Sequence, residues 1–147
     1  MIDKKDLRIL EALKENARFS TQQISRKTLI PITTVHHRIK KLEKSGVIKG
    51  YTVLLDNKKL GKELSAYILV TVDYKFLKQI NISQHDLTKK LKKHELVEEV
   101  DMVTGGTDII LKIRVDDIKQ MDEFITKYLR NVEGIERTQT LVILHES

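Results

Sequence analysis

Residues 20–46 read STQQISRKTLIPITTVHHRIKKLEKSG, a stretch that indicates two helices separated by a tight connection. Ser20 and Gln23 form an S-x-x-Q capping box, which predicts a helix that starts there and ends near Thr28. After Leu29-Ile30-Pro31, a longer and more basic helix follows. A short helix, a tight connection and a longer basic helix come in the order of a helix-turn-helix unit.

A further helix precedes this pair. Asp3 is placed to cap it, apolar residues such as Leu7 recur at helical spacing, and the pattern fades near Ala17. The third helix is predicted to run to Ser45, with Gly46 as its left-handed terminator. The first 50 residues are therefore predicted to form one small three-helix domain.

The third helix has two chemically different sides when it is rotated by 100° per residue. Val35, Ile39 and Leu42 fall on one stripe, which must pack on the first two helices. The opposite side carries short polar groups followed by cations, and these are Thr33, His37, Lys40, Lys41 and Lys44. Thr34 and Arg38 flank that side.

This outward side is predicted to bind DNA in the major groove. Thr33 and His37 are expected to contact base edges, with Thr34 beside them near the backbone. Phosphate contacts are expected from the cationic residues Arg38, Lys40, Lys41 and Lys44. The alternative is a solvated amphipathic helix, but four Lys and Arg against the single Glu43 favour DNA.

The charge is distributed unevenly along the chain. Residues 1–50 carry 12 Lys and Arg against 5 Asp and Glu, whereas residues 51–147 carry 15 against 16. A basic module joined to a neutral one indicates that the first module binds a polyanion.

Composition excludes several classes of protein. The chain of 147 residues is too short for a large multidomain enzyme, and the absence of cysteine excludes disulfides, thiolate nucleophiles and zinc-thiolate sites. The longest apolar run, residues 66–72, is too short to span a bilayer, and the first residues show no hydrophobic signal region. We therefore expect a cytoplasmic protein without a membrane partner.

The remainder of the chain predicts an α+β domain. Residues 47–55 are rich in β-branched and aromatic residues and are predicted to form a connecting strand, so that 51–63 serves as connecting strand and linker. Residues 64–147 then follow a ferredoxin-like βαββαβ order. The predicted strands are 65–74, 97–104, 108–115 and 135–145, and the predicted helices are 83–93 and 117–129.

Two helices can cover only one face of this sheet. The stretches 66–70, 109–111 and 141–144 nevertheless read as apolar on both faces. A second copy of the chain is the simplest cover for the other face, so residues 64–147 are predicted to form a dimer.

Four linked motifs occur in order along the chain. Residues 2–10 fit the pattern L-D-x-x-D-x-x-I-L, and residues 35–51 fit V-x-x-R-I-K-x-L-E-x-x-G-V-I-x-G-Y. Residues 104–108 fit T-G-x-x-D, and residues 134–140 fit G-[VI]-x-R-T-x-T. Together these motifs resemble those of the Lrp/AsnC, or feast/famine, regulators of bacteria and archaea. The resemblance covers essentially the whole chain. It implies a DNA-binding transcriptional regulator that responds to an amino acid and assembles into rings or stacks of dimers, often octamers.

One stretch departs from the family pattern. Leu29-Ile30-Pro31 stands where family members usually have G-L-S, so the turn glycine and the capping hydroxyl are both absent. Pro31 suits the first position of a helix, which preserves the expected fold.

The Thr104–Asp108 segment is the predicted effector site. Gly105-Gly106 between two strands predicts a two-residue hairpin, and a plain hairpin is the alternative reading. The glycines also leave backbone N–H groups open to a carboxylate, beside the hydroxyls of Thr104 and Thr107 and the carboxylate of Asp108. These groups are suited to hold both ends of a free amino acid, and the resemblance implies effector binding near this turn between subunits.

Other functions have weaker support. His36 and His37 are adjacent on a helix and point 100° apart, so they cannot chelate one metal ion, and Glu98 and Glu99 point to opposite sides of a strand. We therefore expect no enzymatic activity, no metal and no cofactor. A small-molecule-binding oligomeric module without specific DNA activity is the remaining alternative, and an electrophoretic shift with genomic fragments distinguishes it.

Overall fold

Three helices form the first part of the chain in a computed structural model that describes residues 1–147. They are α1 (Lys4–Glu15), α2 (Thr21–Thr28) and α3 (Ile32–Lys44). Residues 1–54 constitute one compact unit and residues 55–147 a second, so the division falls inside the predicted linker. The buried side chains of the first unit, among them Ile9, Ile24 and Val35, form one hydrophobic cluster.

Local capping chemistry sets the helix starts as the sequence predicts. The Asp3 side chain accepts the backbone N–H groups of Lys5 and Asp6, and this places the beginning of α1. Ser20 and Gln23 make the predicted reciprocal capping box of α2.

The connection between α2 and α3 is built without the glycine that the family pattern has there. Leu29 takes the left-handed conformation with φ of 55°, at the position where that glycine is missing. Pro31 is the N-cap of α3, one residue before the helical position that we predicted. At the other end, Gly46 has φ of 76°, as expected for a helix terminator.

The predicted connecting strand over 47–55 is absent. The segment after α3 makes no ladder with any strand, and most of its side chains are exposed, with Leu54 99% exposed. β-branched and aromatic residues favour an extended backbone, but a strand also needs a hydrogen-bonding neighbour, which the single chain does not supply here.

The second unit is a four-stranded antiparallel sheet with helices on one face. Its strands are β1 (Leu64–Val72), β2 (Val97–Met102), β3 (Ile109–Val115) and β4 (Ile135–Val142), in the spatial order β2-β3-β1-β4. This is the predicted ferredoxin-like arrangement, with β1 in the centre between β3 and β4.

The helices of this unit partly differ from the prediction. α5 (Gln84–Lys92) and α6 (Ile118–Glu123) are the two predicted helices, and α6 continues through a π-helical turn, Phe124–Tyr128. α4 (Tyr74–Gln79) was not predicted. The predicted first strand ran on to Tyr74, but Asp73 accepts the N–H of Phe76 and starts this short helix instead.

The two faces of the sheet differ in character. Alternate residues of β1 and β3, such as Ile68 and Leu111, are fully buried beneath the helices. The open face carries Tyr67, which is exposed, and Leu69 and Ile110, which are half-buried. No helix in the chain has the length and apolar character to cross a membrane.

The open face is less apolar than predicted because β3 also places two cations there. Arg114 Nε lies 2.5 Å from Glu98 Oε1, and its Nη2 lies 2.8 Å from Glu146 Oε1. Lys112 Nζ lies 3.3 Å from the same Glu146 oxygen. Both cations are therefore paired within the chain. The hydrogen bond from Arg114 is the main cause that lowers the pKa of the Glu146 carboxyl to about 2.

The predicted last strand ends earlier than expected, at Val142.

Candidate functional site

The exposed side of α3 is the first candidate site. Val35 and Leu42 are buried, so rotation along the helix turns the opposite residues to solvent. The five residues predicted on the outward side are all exposed, namely Thr33, His37, Lys40, Lys41 and Lys44. Thr34 and Arg38 are half-buried at its border.

The three lysines of this side differ in their partners. Lys41 and Lys44 make no ion pair within the chain, whereas Lys40 Nζ lies 3.7 Å from Glu43 Oε2. The Glu43 carboxylate also accepts a 2.9 Å hydrogen bond from the Tyr51 hydroxyl. Burial, followed by this hydrogen bond, raises the pKa of Tyr51. Lys41 and Lys44 are therefore the cations most available to a polyanion.

Arg38 has carboxylate partners that sequence reasoning did not foresee. Its Nη1 lies 2.7 Å from Asp3 Oδ1 and 2.8 Å from Asp6 Oδ1, at the start of α1. This guanidinium lowers the pKa of the Asp3 carboxyl to about 2, helped by the backbone N–H of Asp6. A salt bridge across 32 residues of sequence leaves no periodic signal, although the pattern D-x-x-D in residues 3–6 supplies its acidic half.

The segment between β2 and β3 is the second candidate site, and it is longer than the predicted two-residue hairpin. The strands stop at Met102 and resume at Ile109, which leaves six residues between them. The N–H of Val103 donates to the Asp108 carbonyl and closes the loop at 2.9 Å. Of the two glycines only Gly105 has a positive φ, at 112°, so a turn that needs two such residues does not form.

Asp108 anchors this loop to neighbouring elements. Its Oδ2 accepts the backbone N–H of Val72 at 2.8 Å, and its Oδ1 accepts the Tyr74 hydroxyl at 2.8 Å. The Gln84 side chain donates to its carbonyl oxygen at 3.1 Å. The sequence analysis missed Tyr74 because it starts the unpredicted helix α4. It missed Gln84 because that residue is 24 positions away from Asp108 in the sequence.

The tip of the loop is left open. The backbone N–H groups of Thr104, Gly105, Gly106 and Thr107 donate to no acceptor in the chain, and neither threonine hydroxyl makes a hydrogen bond. Consecutive free N–H groups form a concentration of positive partial charge that suits a carboxylate. The predicted residues thus lie together, but Asp108 holds the loop while the others remain unpaired.

Comparison with known proteins agrees with this two-part architecture. Residues 2–49 match the family model for winged helix-turn-helix DNA-binding domains, and residues 65–147 match that for the Lrp/AsnC ligand binding domain. Relatives include the uncharacterized HTH-type transcriptional regulator PH1916 of Pyrococcus horikoshii, 34% identical over 142 residues, covering 97% of this chain and 92% of the relative. HTH-type transcriptional regulator FL11 of Pyrococcus furiosus is 31% identical over 144 residues, covering 98% and 90%.

Solved structures show the same fold over the full length. LrpC of Bacillus subtilis superposes with a TM-score of 0.82 at 28% identity, over 100% of this chain and 97% of that one. The transcriptional regulator NMB0573 of Neisseria meningitidis, solved as a complex with L-Met, gives a TM-score of 0.88 at 25% identity, over 99% and 92%.

The protein is a DNA-binding transcriptional regulator with a helix-turn-helix unit followed by a ligand-binding domain, and it is not an enzyme. More particularly, the chain belongs to the Lrp/AsnC family.

The low pKa of Asp3 predicts an acid-sensitive first unit. A folded-state pKa of about 2 lies below the ordinary 3.8, so ionised Asp3 stabilises the fold above pH 4, and this contribution disappears as the pH falls from 4 towards 2. Asp3→Asn keeps a side-chain cap but removes this titration. Helical circular dichroism during thermal unfolding should show a shallower fall in Tm over this range for Asp3→Asn.

Glu11→Gln is the matched control, because Glu11 is an exposed acid of α1 without an ion pair. Its Tm should follow the wild-type pH dependence. Identical curves for wild type and Asp3→Asn would contradict the assigned effect of Arg38 on the Asp3 pKa.

Proposed function

We propose that the protein binds a roughly palindromic DNA sequence selectively, with α3 in the major groove. Thr33 and His37 stand on the exposed side of α3 and contact base edges, with Thr34 at the border of that side. Lys40, Lys41 and Lys44 neutralise phosphates. One observation carries this proposal: Lys41 and Lys44 are exposed on the side of α3 opposite its buried stripe, and neither makes an ion pair within the chain.

We further propose that two copies pair through the open face of the sheet. Tyr67, Leu69 and Ile110 would otherwise leave apolar surface in water, and Lys112 and Arg114 beside them are already paired, so burial leaves neither of these two cations without a countercharge. A dimer presents two copies of α3, and we expect these to enter successive major grooves about 34 Å apart. Larger assemblies of dimers, including octamers, extend the same proposal.

The proposed effector is a free amino acid bound at the 104–108 loop. Its carboxylate accepts hydrogen bonds from the free N–H groups at Gly105 and Gly106, and the hydroxyls of Thr104 and Thr107 lie beside it. The complex of the Neisseria meningitidis regulator with L-Met supports an amino acid as the ligand class. The ammonium group pairs with Asp108 or another acid nearby.

Regulation then follows if the effector binds one assembly of dimers with higher affinity than another. An effector that binds one arrangement of dimers more tightly than another shifts the population towards it, and with it the spacing of the DNA-binding helices. DNA as the partner places the protein in the cytoplasm.

The phosphate contacts predict a salt-dependent loss of affinity. Lys41→Ala and Lys44→Ala should each weaken binding to every DNA sequence and lower the slope of log K against log salt by about one unit, because one counterion fewer is released. Fluorescence anisotropy over a range of KCl concentrations measures this slope. Lys119→Ala is the control, an exposed lysine of α6, and should leave the slope unchanged. Unchanged slopes for both α3 variants would refute the proposed roles.

The sheet-to-sheet dimer predicts a specific assembly defect. Leu69 and Ile110 lie opposite each other on adjacent strands, so Leu69→Glu places a charge in the centre of the proposed interface. Sedimentation should show dimers or larger assemblies for the wild type and folded monomers for Leu69→Glu. Ile118→Glu, which changes an exposed apolar residue of α6, should assemble normally. Wild type that sediments as a monomer would defeat the proposal.

The effector site predicts that a single methyl group blocks binding. An added Cβ at Gly106 meets no heavy atom within 4 Å, so Gly106→Ala should keep the wild-type Tm while obstructing a ligand that approaches the backbone. Calorimetric titration with each of the twenty amino acids should give at least one wild-type ligand whose affinity falls about tenfold or more in Gly106→Ala.

Gly50→Ala serves as the control for this substitution, because a Cβ there also meets nothing within 4 Å and the residue lies outside the loop. Its affinity should equal that of the wild type. Asp108→Ala is a poorer probe, since it also removes the anchor of the loop. No ligand for the wild type, or equal binding by Gly106→Ala, would count against this site.

A further inference from the structure

We propose that Arg38 is a positioning residue for DNA recognition, which fixes α3 to the start of α1 and pairs with two carboxylates beside the DNA-binding side. This inference rests on the proposed role of α3 in DNA binding. It replaces the direct phosphate contact that the sequence suggested for Arg38 with an indirect role, through the residues that Arg38 holds in place.

Arg38 contacts two carboxylates of α1 and its cap, Asp3 and Asp6, and we call this contact the clamp. A single nitrogen of Arg38, Nη1, lies 2.7 Å from both carboxylate oxygens of Asp3 and 2.8 Å from Asp6 Oδ1. Charge-assisted hydrogen bonds of this length are among the strong polar contacts of proteins. The Arg38 side chain is 24% exposed, so a large part of it is shielded from solvent and ligands.

Asp6 makes this clamp a requirement of the fold. Its side chain is 2% exposed, and its second carboxylate oxygen accepts the backbone N–H of Asp3 at 3.0 Å. A buried carboxylate is costly unless a cation is paired with it, and Arg38 is the cation in an ion pair with Asp6. The Asp6 carboxylate of α1 therefore holds the Arg38 guanidinium in place, because Asp6 has no other cation as a partner.

Asp3 connects the clamp to the direction of α1. The same carboxylate that contacts Arg38 accepts the N–H groups of Lys5 and Asp6 and thereby caps the helix. Arg38, on the side of α3, thus contacts the capped N-terminus of α1. A change in this contact would alter how α3 lies on α1.

The clamp lies next to the residues proposed to contact DNA. Asp3 and Arg38 line one surface depression together with Thr34, His37 and Lys41. Because the Asp3 side chain is about half exposed there, an unpaired carboxylate would repel phosphates at close range. Arg38 offsets one of the two negative charges and thereby reduces this repulsion, and its own charge is already engaged by two acids before DNA arrives.

Arginine suits this role better than lysine. All three contacts are made by Nη1, which lies one covalent bond further from the backbone than the Nζ of a lysine, so a lysine ammonium falls short of the two carboxylates. A phosphate contact tolerates either side chain as a source of charge. Arg38→Lys therefore separates the two roles while it preserves the net charge.

The first test compares Arg38→Lys with the wild type for binding to a selected operator and to unrelated DNA. We expect operator affinity to fall about tenfold, because the recognition residues are displaced, with the salt slope unchanged. Arg130→Lys is the matched control, the same exchange at an exposed arginine of the second unit that makes no ion pair, and should bind as the wild type does. Arg38→Lys that binds the operator like the wild type would overturn the proposal.

The second test is a double-mutant cycle with Asp3→Asn, which keeps the helix cap. If Arg38 acts through Asp3, the loss caused by Arg38→Lys becomes several-fold smaller in the Asp3→Asn background. An equal loss in both backgrounds would show that Arg38 acts independently of Asp3 and would overturn the part of the proposal that acts through the cap of α1. Circular dichroism and Tm values establish that all four proteins are folded, so this cycle does not depend on the more disruptive Arg38→Ala.

The two hypotheses fail in different ways. Wild-type protein that binds no genomic DNA fragment would overturn the proposed function and this role of Arg38 with it. Wild type that binds selectively, together with Arg38→Lys of equal affinity, would overturn the role of Arg38 alone.

Discussion

Burial of one stripe of α3 is the constraint on which the first unit depends. Val35 packs in one cluster with Ile9 of α1 and Ile24 of α2, so the rotation of α3 about its own axis is fixed. Since each residue advances the helix by 100°, the polar and basic residues must then face solvent. The chemical identity of the exposed side thus follows from hydrophobic packing on the opposite side.

Two carboxylates beside the candidate sites serve mainly to hold other groups in place. Asp6 pairs with Arg38 at the border of α3, and Asp108 accepts hydrogen bonds from Val72 and Tyr74 behind the loop tip. A carboxylate can accept several hydrogen bonds at once, so a single residue can fix two or three chain segments. Binding groups that are held before the ligand arrives lose less entropy when they engage it.

The sheet shows how a partly polar surface can still suit an interface. Arg114 is 8% exposed and paired with Glu98 and Glu146, so its charge is balanced before any partner approaches. The β3 part of this surface combines apolar side chains with two cations, Lys112 and Arg114, that require no further partner. Such a face can be buried at a lower desolvation cost than one with free charges.

The sequence alone determined the features that depend on neighbouring residues. The capping box of α2, the exposed side of α3 and the βαββαβ order were predictable because they arise from local sequence patterns. Tertiary structure decided what depends on distant partners: the absence of a strand over 47–55, the six-residue loop before Ile109 and the clamp of Arg38 on α1. Residues 47–55 lack a neighbouring strand, Asp108 accepts a hydrogen bond from Val72, and Arg38 pairs with Asp6. In each case the partner, present or absent, is distant in the sequence, so no local pattern identifies it.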